Sequence, residues 1–403
     1  MKQFLLFIII VFILGCDTNV SSDYFNNNDY YTIAASDTTI ALPIDDRTKT
    51  YTFALHYFED SSGVDYVSLE NEDYDSRFGI IHYYRLDSLK IDHTVKLNYE
   101  GPDHVSYIEG HTTLDDKELM VSCDIQSIMY KVGHDGKIHH IYPLFDSINT
   151  HEKYLPETFM SMFYNPLYCI DGKYYVPLQL PPHHLFAQDN HVVNFDECPL
   201  MLVVDSTSGY IECSKLTFPK LYDKITGSGH INEYSRIYDG KRFVYSFFGL
   251  DSLYVSYDLI SFKTFYAKSK FVSVKNTSFR RGMDVMEKTK LCHIRPRYGN
   301  IVYDKYRDLY YRFCYCYDEI VADKDFAQVL NTNYLLCHGE FTIQIIDSDF
   351  NLLGESKFPR GKYVPMLFFV NKSGLWLSEN NDERPNLSED LLVFRCFKVI
   401  ENE

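Results

Sequence analysis

Asp239-Gly240-Lys241-Arg242-Phe243-Val244-Tyr245 is a tight polar turn running straight into an aromatic strand. Asp and Gly close such turns, the first by hydrogen-bonding the backbone just ahead of it and the second by accepting positive φ. Phe, Val and Tyr suit a pleated, half-buried surface. The same element recurs along the chain. Asp171-Gly172-Lys173 precedes Tyr174-Tyr175-Val176, and Asp304-Lys305-Tyr306-Arg307-Asp308 precedes Leu309-Tyr310-Tyr311. Further copies are Asp60-Ser61-Ser62-Gly63 before Val64, Leu114-Asp115-Asp116-Lys117 before Glu118, and Asn371-Lys372-Ser373-Gly374 before Leu375. With Ser62, Asp116, Gly172, Gly240, Arg307 and Ser373 as markers, successive copies lie 54, 56, 68, 67 and 66 residues apart.

A second strand–turn–strand element falls between the markers, at Tyr84-Arg85-Leu86-Asp87-Ser88-Leu89-Lys90, Val132-Gly133-His134-Asp135-Gly136-Lys137 and Val204-Asp205-Ser206-Thr207-Ser208-Gly209. It returns at Tyr257-Asp258-Leu259-Ile260-Ser261 and Ile346-Asp347-Ser348-Asp349-Phe350. Each unit thus holds two hairpins, and six four-stranded units predict an all-β six-bladed β-propeller. The sixth unit runs out of chain one strand short. The unassigned strand-like segment from Thr32 to Leu42 is expected to supply that strand and close the ring, which leaves only short, protected edges. Tandem sandwich domains fit less well, since the units are small and no linker separates them. Short helices are expected only near 151–162 and 281–290.

The other decisive stretch is the start. Lys2 precedes an unbroken apolar run from Phe4 to Leu14, and Ile13-Leu14-Gly15-Cys16 follows the pattern of a lipobox. Eleven residues are too few to span a bilayer, which takes roughly 20, but they suit the core of a signal peptide. The expected organisation is a cleaved signal peptide over 1–15, a lipidated Cys16 with a polar tether to residue 30, and a propeller over 31–403. A diacylglyceryl thioether plus an N-acyl chain provides the two or more hydrocarbon chains that stable anchoring requires.

The lipobox, the Asp-Gly-Lys hairpins and the Asp-Ser turns together resemble the uncharacterised six-bladed propeller lipoproteins of Bacteroidota, over the full length of the chain. That family carries a domain of unknown function. The resemblance therefore implies a fold and a place in the bacterial cell envelope, with the outer membrane expected and its face left open, but no activity. Asp17 after the cysteine would signal inner-membrane retention in enteric bacteria, a lineage with different sorting.

The net charge of -17 argues against nucleic-acid binding, which needs Lys and Arg to neutralise phosphates. Nine cysteines remain beside Cys16. Most sit in apolar strand-like runs and are expected to be reduced, buried small hydrophobes. No cofactor is expected. His134, His139 and His140, and His183, His184 and His191, lack metal-ligand spacing. Asp347-Ser348-Asp349 lacks the glycine and distal Glu of a calcium loop. Thr226-Gly227-Ser228-Gly229-His230 is not a nucleophile elbow. No catalytic residue is assigned.

Propellers bind at the channel mouth, so candidate ligand residues come from loops entering the innermost strands: His104, Asn165, Arg236, His293, Arg295 and Arg297. Arg forks suit carboxylate or phosphate, with surface ion pairing as the alternative. The single Trp, Trp376, argues weakly against a sugar platform. Two functions stay open. One is a monomeric, lipid-anchored binding or scaffold module for a peptide, glycan or envelope protein. The other is a hydrolase or lyase acting at the mouth.

Overall fold

The architecture comes from a computed structural model, which describes residues 29–45, 48, 54–70, 77–101, 103–123, 127–144, 155–156, 164–179, 197–220, 233–274, 294–319, 339–384 and 388–402. Every element there is a strand, and the strands form six sheets. Blade 1 comprises β2 (Leu55–Glu59), β3 (Asp65–Glu70), β4 (Phe78–Arg85) and β5 (Lys90–Asn98). Blade 2 comprises β6 (His111–Thr113), β7 (Glu118–Cys123), β8 (Ile128–Gly133) and β9 (Ile138–Pro143). Blade 3 contains β10 (Leu155–Pro156), β11 (Tyr168–Ile170), β12 (Lys173–Gln179), β13 (Met201–Asp205) and β14 (Ile211–Cys213).

Blade 4 runs through β15 (Tyr234–Tyr238), β16 (Phe243–Phe247), β17 (Ser252–Ser256) and β18 (Lys263–Tyr266). Blade 5 runs through β19 (Arg297–Asp304), β20 (Leu309–Tyr315), β21 (Phe341–Asp347) and β22 (Leu352–Phe358). Blade 6 has β23 (Val364–Asn371), β24 (Gly374–Ser378) and β25 (Leu391–Glu401), and its outer strand is β1 (Tyr31–Pro43). The N-terminal strand therefore closes the ring, as the unpaired ends of the repeat pattern require. It pairs antiparallel with β25 from Tyr31 opposite Glu401 to Pro43 opposite Leu391, with a bulge between Ala35 and Thr39.

The repeated aspartates cause the repeated turns. Asp239 Oδ1 accepts the backbone N–H groups of Lys241 and Arg242 at 2.9 and 3.0 Å. Asp115 and Asp304 likewise accept the N–H groups two and three residues ahead, Asp60 those two and four ahead, and Asn371 that of Ser373. The outer hairpins reuse the device through Asp205, Asp258 and Asp347. Accepting two N–H bonds favours the ionised carboxylate, and the Asp258 carboxyl is lowered to about 2 chiefly by the N–H groups of Ile260 and Ser261.

Both kinds of turn lie on one face of the ring, here named the turn face. The crossovers between blades lie on the other.

The core fills the seams between blades. Leu55, Val67, Leu69 and Tyr84 of blade 1 pack with Leu367, Phe369, Trp376 and Phe394 of blade 6. On its other side blade 1 packs Ile81, Tyr83 and Val95 against Leu119, Val121 and Val132 of blade 2. Much of the chain's aromatic content serves this purpose: a wide seam between twisted sheets is filled by broad, flat side chains at about 1.5–3 kcal/mol each. Trp376 belongs to it, donating Nε1–H to Asn371 Oδ1 at 2.8 Å.

Some expectations differ from what is observed. Within 151–162 only Leu155–Pro156 is described, and it is a strand paired to β12 rather than helix; 281–290 lies outside the described residues. Cys123, Cys198, Cys314 and Cys396 are buried free thiols, but Cys169 and Cys213 are exposed and Cys316 is partly so. Position in the blade accounts for two of these: Cys169 lies on the inner strand β11, where it lines the channel, and Cys213 ends β14, the outer edge strand of blade 3. Among the described residues no helix is long and apolar enough to cross a membrane. The run from Phe4 to Leu14, and Cys16, lie outside them.

Candidate functional site

The innermost strands β2, β6, β11, β15, β19 and β23 surround a channel cavity of about 410 Å³ to which all six blades contribute. Its walls are dominated by rings, among them Tyr57, Tyr168, Tyr238, Tyr303 and Phe369. An inner strand of a propeller directs alternate side chains to its two neighbouring blades, and where these inner edges converge the rings also line the axis.

One end is bridged. Tyr164, at the entry to blade 3, meets Phe368 of blade 6 across the ring, with centroids 5.1 Å apart. Tyr164 has φ +45°, a left-handed conformation costing about 1–2 kcal/mol for a side chain of this kind. The neighbouring residue holds it there. Asn165 is fully buried, donates Nδ2–H to Tyr234 O at 2.7 Å and accepts Arg236 N–H on Oδ1 at 2.8 Å. Ser235 Oγ donates to Tyr164 O at 3.1 Å.

The other end, on the turn face, is polar. Glu59 lines the cavity with Lys305 and Tyr306. Its carboxylate accepts Lys372 Nζ at 3.0 Å, Lys305 Nζ at 3.3 Å and a contact from Tyr306 Oη at 3.2 Å. The two lysines hold the Glu59 carboxyl below its usual range. Tyr306 Oη also lies 2.9 Å from Tyr57 Oη, which donates to Asp65 at 2.8 Å. Burial, reinforced by Tyr306 and Asp65, pushes the Tyr57 phenol far up, so it stays a neutral donor. Cys169 also lines the cavity, where partial burial raises its thiol.

A second constellation sits beside the channel, between blades 1 and 2. His111 Nε2 is 2.8 Å from Ser68 Oγ and its Nδ1 is 3.2 Å from Glu70 Oε2. The His111 ring meets that of channel-lining His56 edge-on at 5.0 Å. Burial lowers His111 to about 3 and raises Glu70 well above the carboxylate range. These are the contacts of a serine–histidine–carboxylate relay. Ser68 and His111 are wholly buried, however, and Ser68 lies within a strand rather than at a turn. The arrangement ties blade 1 to blade 2 across the seam, with the Ser68 hydroxyl closed off from the surface.

Of the residues singled out from sequence, Cys16 and His293 lie outside the described residues. The other five do not line the cavity. His104 is exposed and donates from Nδ1 to Gly101 O at 2.5 Å. Arg236 is wholly buried between blades 3 and 4 and donates to Tyr175 O at 2.8 Å. Its guanidinium carbon is 5.3 Å from the centre of the Phe243 ring. Arg295 and Arg297 come together near Glu233, whose carboxyl burial raises and the two arginines lower. Arg297 also lies 4.9 Å over the Tyr315 ring. The geometry joins Asn165 to Arg236 and Arg295 to Arg297, but forms no single site from the set. Glu59, Lys305 and Tyr306 were missed although the repeat placed each at the end of an inner strand or in its turn. The loops expected to bind are the crossovers, on the opposite face of the ring.

No group of His, Cys, Asp or Glu suited to hold a metal occurs among the described residues. His134 hydrogen-bonds His93 at 3.0 Å and His139 hydrogen-bonds Glu118 at 2.9 Å.

The same architecture recurs in solved structures. A member of the DUF4221 family from Bacteroides vulgatus superposes with a TM-score of 0.79 at 24% identity, over 93% of this chain and 99% of that one. A putative exported protein from Bacteroides fragilis reaches 0.52 at 9% identity, over 93% and 96%. No curated protein matches the chain. Residues 30–357 match the sequence profile described as "Domain of unknown function (DUF4221)", and the chain belongs to that family.

Proposed function

We propose that this protein is a binding module of the bacterial cell envelope, held to the membrane by lipid on Cys16 and receiving a peptide, a glycan or part of a protein partner in its channel. The observation that carries this reading is the cavity itself. A space of about 410 Å³ walled by aromatic rings is of the size and lining that hold small molecules or side chains. One end is bridged and the other polar, so a guest enters from the turn face. The anchor reading is supported by the lipobox at Ile13-Leu14-Gly15-Cys16.

Two measurements test it. In cell fractionation, Cys16→Ala should abolish the mass increment of the lipid and shift the protein out of the membrane fraction; unchanged processing and sedimentation would sink the anchor. Affinity purification from detergent-solubilised envelopes should recover a partner with the natural chain and lose it with Cys169→Trp, which fills the channel. Equal recovery would move binding elsewhere.

The alternative, a hydrolase, is favoured by one observation, the Ser68–His111–Glu70 contacts. A fluorophosphonate that labels Ser68 in the natural chain and not in Ser68→Ala would establish it. The burial of Ser68 leads us to expect no labelling.

A further inference from the structure

We propose that the channel receives an amphipathic organic anion, its aromatic or aliphatic body among the channel rings and its carboxylate-like head between Lys305 and Lys372. This rests on the channel-binding reading above and adds the chemical class of the guest.

The argument starts from the balance of groups at the polar end. Two ammonium groups stand against the Glu59 carboxylate there; Asp65, the next acid, lies close enough to raise Lys372 and already accepts Tyr57 Oη at 2.8 Å. Lys305 and Lys372 have 58% and 59% of their side chains exposed, and Glu59 has 23%. An ammonium has three N–H donors, and each lysine directs one of them at Glu59. The Glu59 carboxylate is already served by both lysines and approached by Tyr306 Oη. Donors are therefore in surplus and acceptors are occupied, so an incoming acceptor finds partners and an incoming donor does not. A guest cation would have to displace two lysines from Glu59. A guest anion only has to share them.

Position strengthens the point. The chain has a net charge of -17, and a pair of lysines at the rim of a low-dielectric cleft focuses what positive field the molecule has. Behind them the walls turn apolar, with Phe58, Val302, Phe368 and Val370. A small inorganic ion would leave that space unfilled, and an uncharged apolar molecule would leave the lysines unused. A guest with one acidic end and one apolar end meets both.

Titration calorimetry of the full-length chain with three ligands of one body separates the possibilities: 2-naphthylacetate, 2-naphthylacetamide, and 2-(2-naphthyl)ethylamine. The acetate should bind most tightly and the amine least. Lys305→Ala and Lys372→Ala should each weaken the acetate about fivefold, the scale of one exposed ion pair, and leave the amide unchanged. Glu59→Gln should tighten the acetate, because it frees both lysines. Equal affinities for the three heads, or tighter amine binding weakened by Glu59→Gln, would overturn the anion assignment while leaving the channel as the site. Cys169→Trp or Thr113→Trp should abolish binding of all three; undiminished binding in a folded variant would overturn the channel reading itself. Failure of the natural chain to bind any of the three would overturn both.

Discussion

Two buried polar side chains show how single residues hold the blades together. Arg312 has no exposed surface. Its guanidinium donates to Ser246 Oγ at 2.9 Å, Leu250 O at 2.7 Å and Ala267 O at 3.2 Å, and lies 3.7 Å over the Tyr298 ring. All three acceptors belong to blade 4 or its exit, while Arg312 belongs to blade 5. Arg312→Leu removes the donor to Ser246 Oγ and Leu250 O, while Ala267 O keeps Gln344 Nε2 at 3.1 Å, and should cost about 3 kcal/mol in urea denaturation. Arg312→Lys should recover little, because a point charge cannot reproduce the fork.

Glu70 makes a pH prediction. Its folded-state carboxyl is raised, so the native state keeps a proton that the unfolded state releases near its ordinary range. Stability from that group is complete below about 4.5 and is lost as pH rises towards the raised folded value. His111 is lowered to about 3, so its contribution is present above about 6.5 and is lost as pH falls. Between these ordinary values the two nearly cancel. Above pH 6.5 only Glu70 acts, by up to about 1.4 kcal/mol per pH unit. Relative to the natural chain, Glu70→Gln should therefore gain stability between pH 6.5 and 8. A flat difference across that window would remove the buried proton from the account.

At the scale of elements, the hairpins were legible because their cause is local. An Asp or Asn that accepts the N–H groups of the next residues declares a turn in sequence, whatever packs against it. The ends of the chain were legible for the opposite reason, since one strand lacked a partner and one blade lacked a strand. How closely β1 then passes over its neighbour could not be read. A Cβ on Gly354 of β22 would lie 2.0 Å from Tyr31 O, and Tyr30 N–H donates to Leu353 O at 3.0 Å. The N-terminal strand thus completes blade 6 and also lies against blade 5. Gly354→Ala should force the two apart and cost about 2 kcal/mol, read as a lower denaturation midpoint with an unchanged slope.

At the scale of the whole molecule, stability depends on closure. Each blade buries its faces against two neighbours, so an open ring exposes a seam. Deleting residues 29–43 should leave the eleven-residue edge of β25 unpaired. Such an edge invites pairing between molecules. The expected result is loss of a cooperative thermal transition and a shift to aggregates in size-exclusion chromatography; a monomeric, cooperatively melting deletion variant would show that the ring holds without its N-terminal strand.

The amino-acid sequence by itself determined the blade count, the two-hairpin plan of the blades and the closing strand, though not β10, which adds a fifth strand to blade 3. The hairpins follow from turn chemistry and alternation, which act over a few residues, and the closing strand from the one blade left a strand short. Only the tertiary structure decided where the candidate site lies. The channel gathers one short segment from each blade, from Leu55 to Val370, and no spacing along the chain records which of them converge. His104 and Arg236 share the residue types of a binding loop with Lys305. One is a surface turn, one is sealed in a seam, and Lys305 stands at the mouth, because the orientation of each strand about the axis is set by packing between blades rather than by its neighbours in sequence.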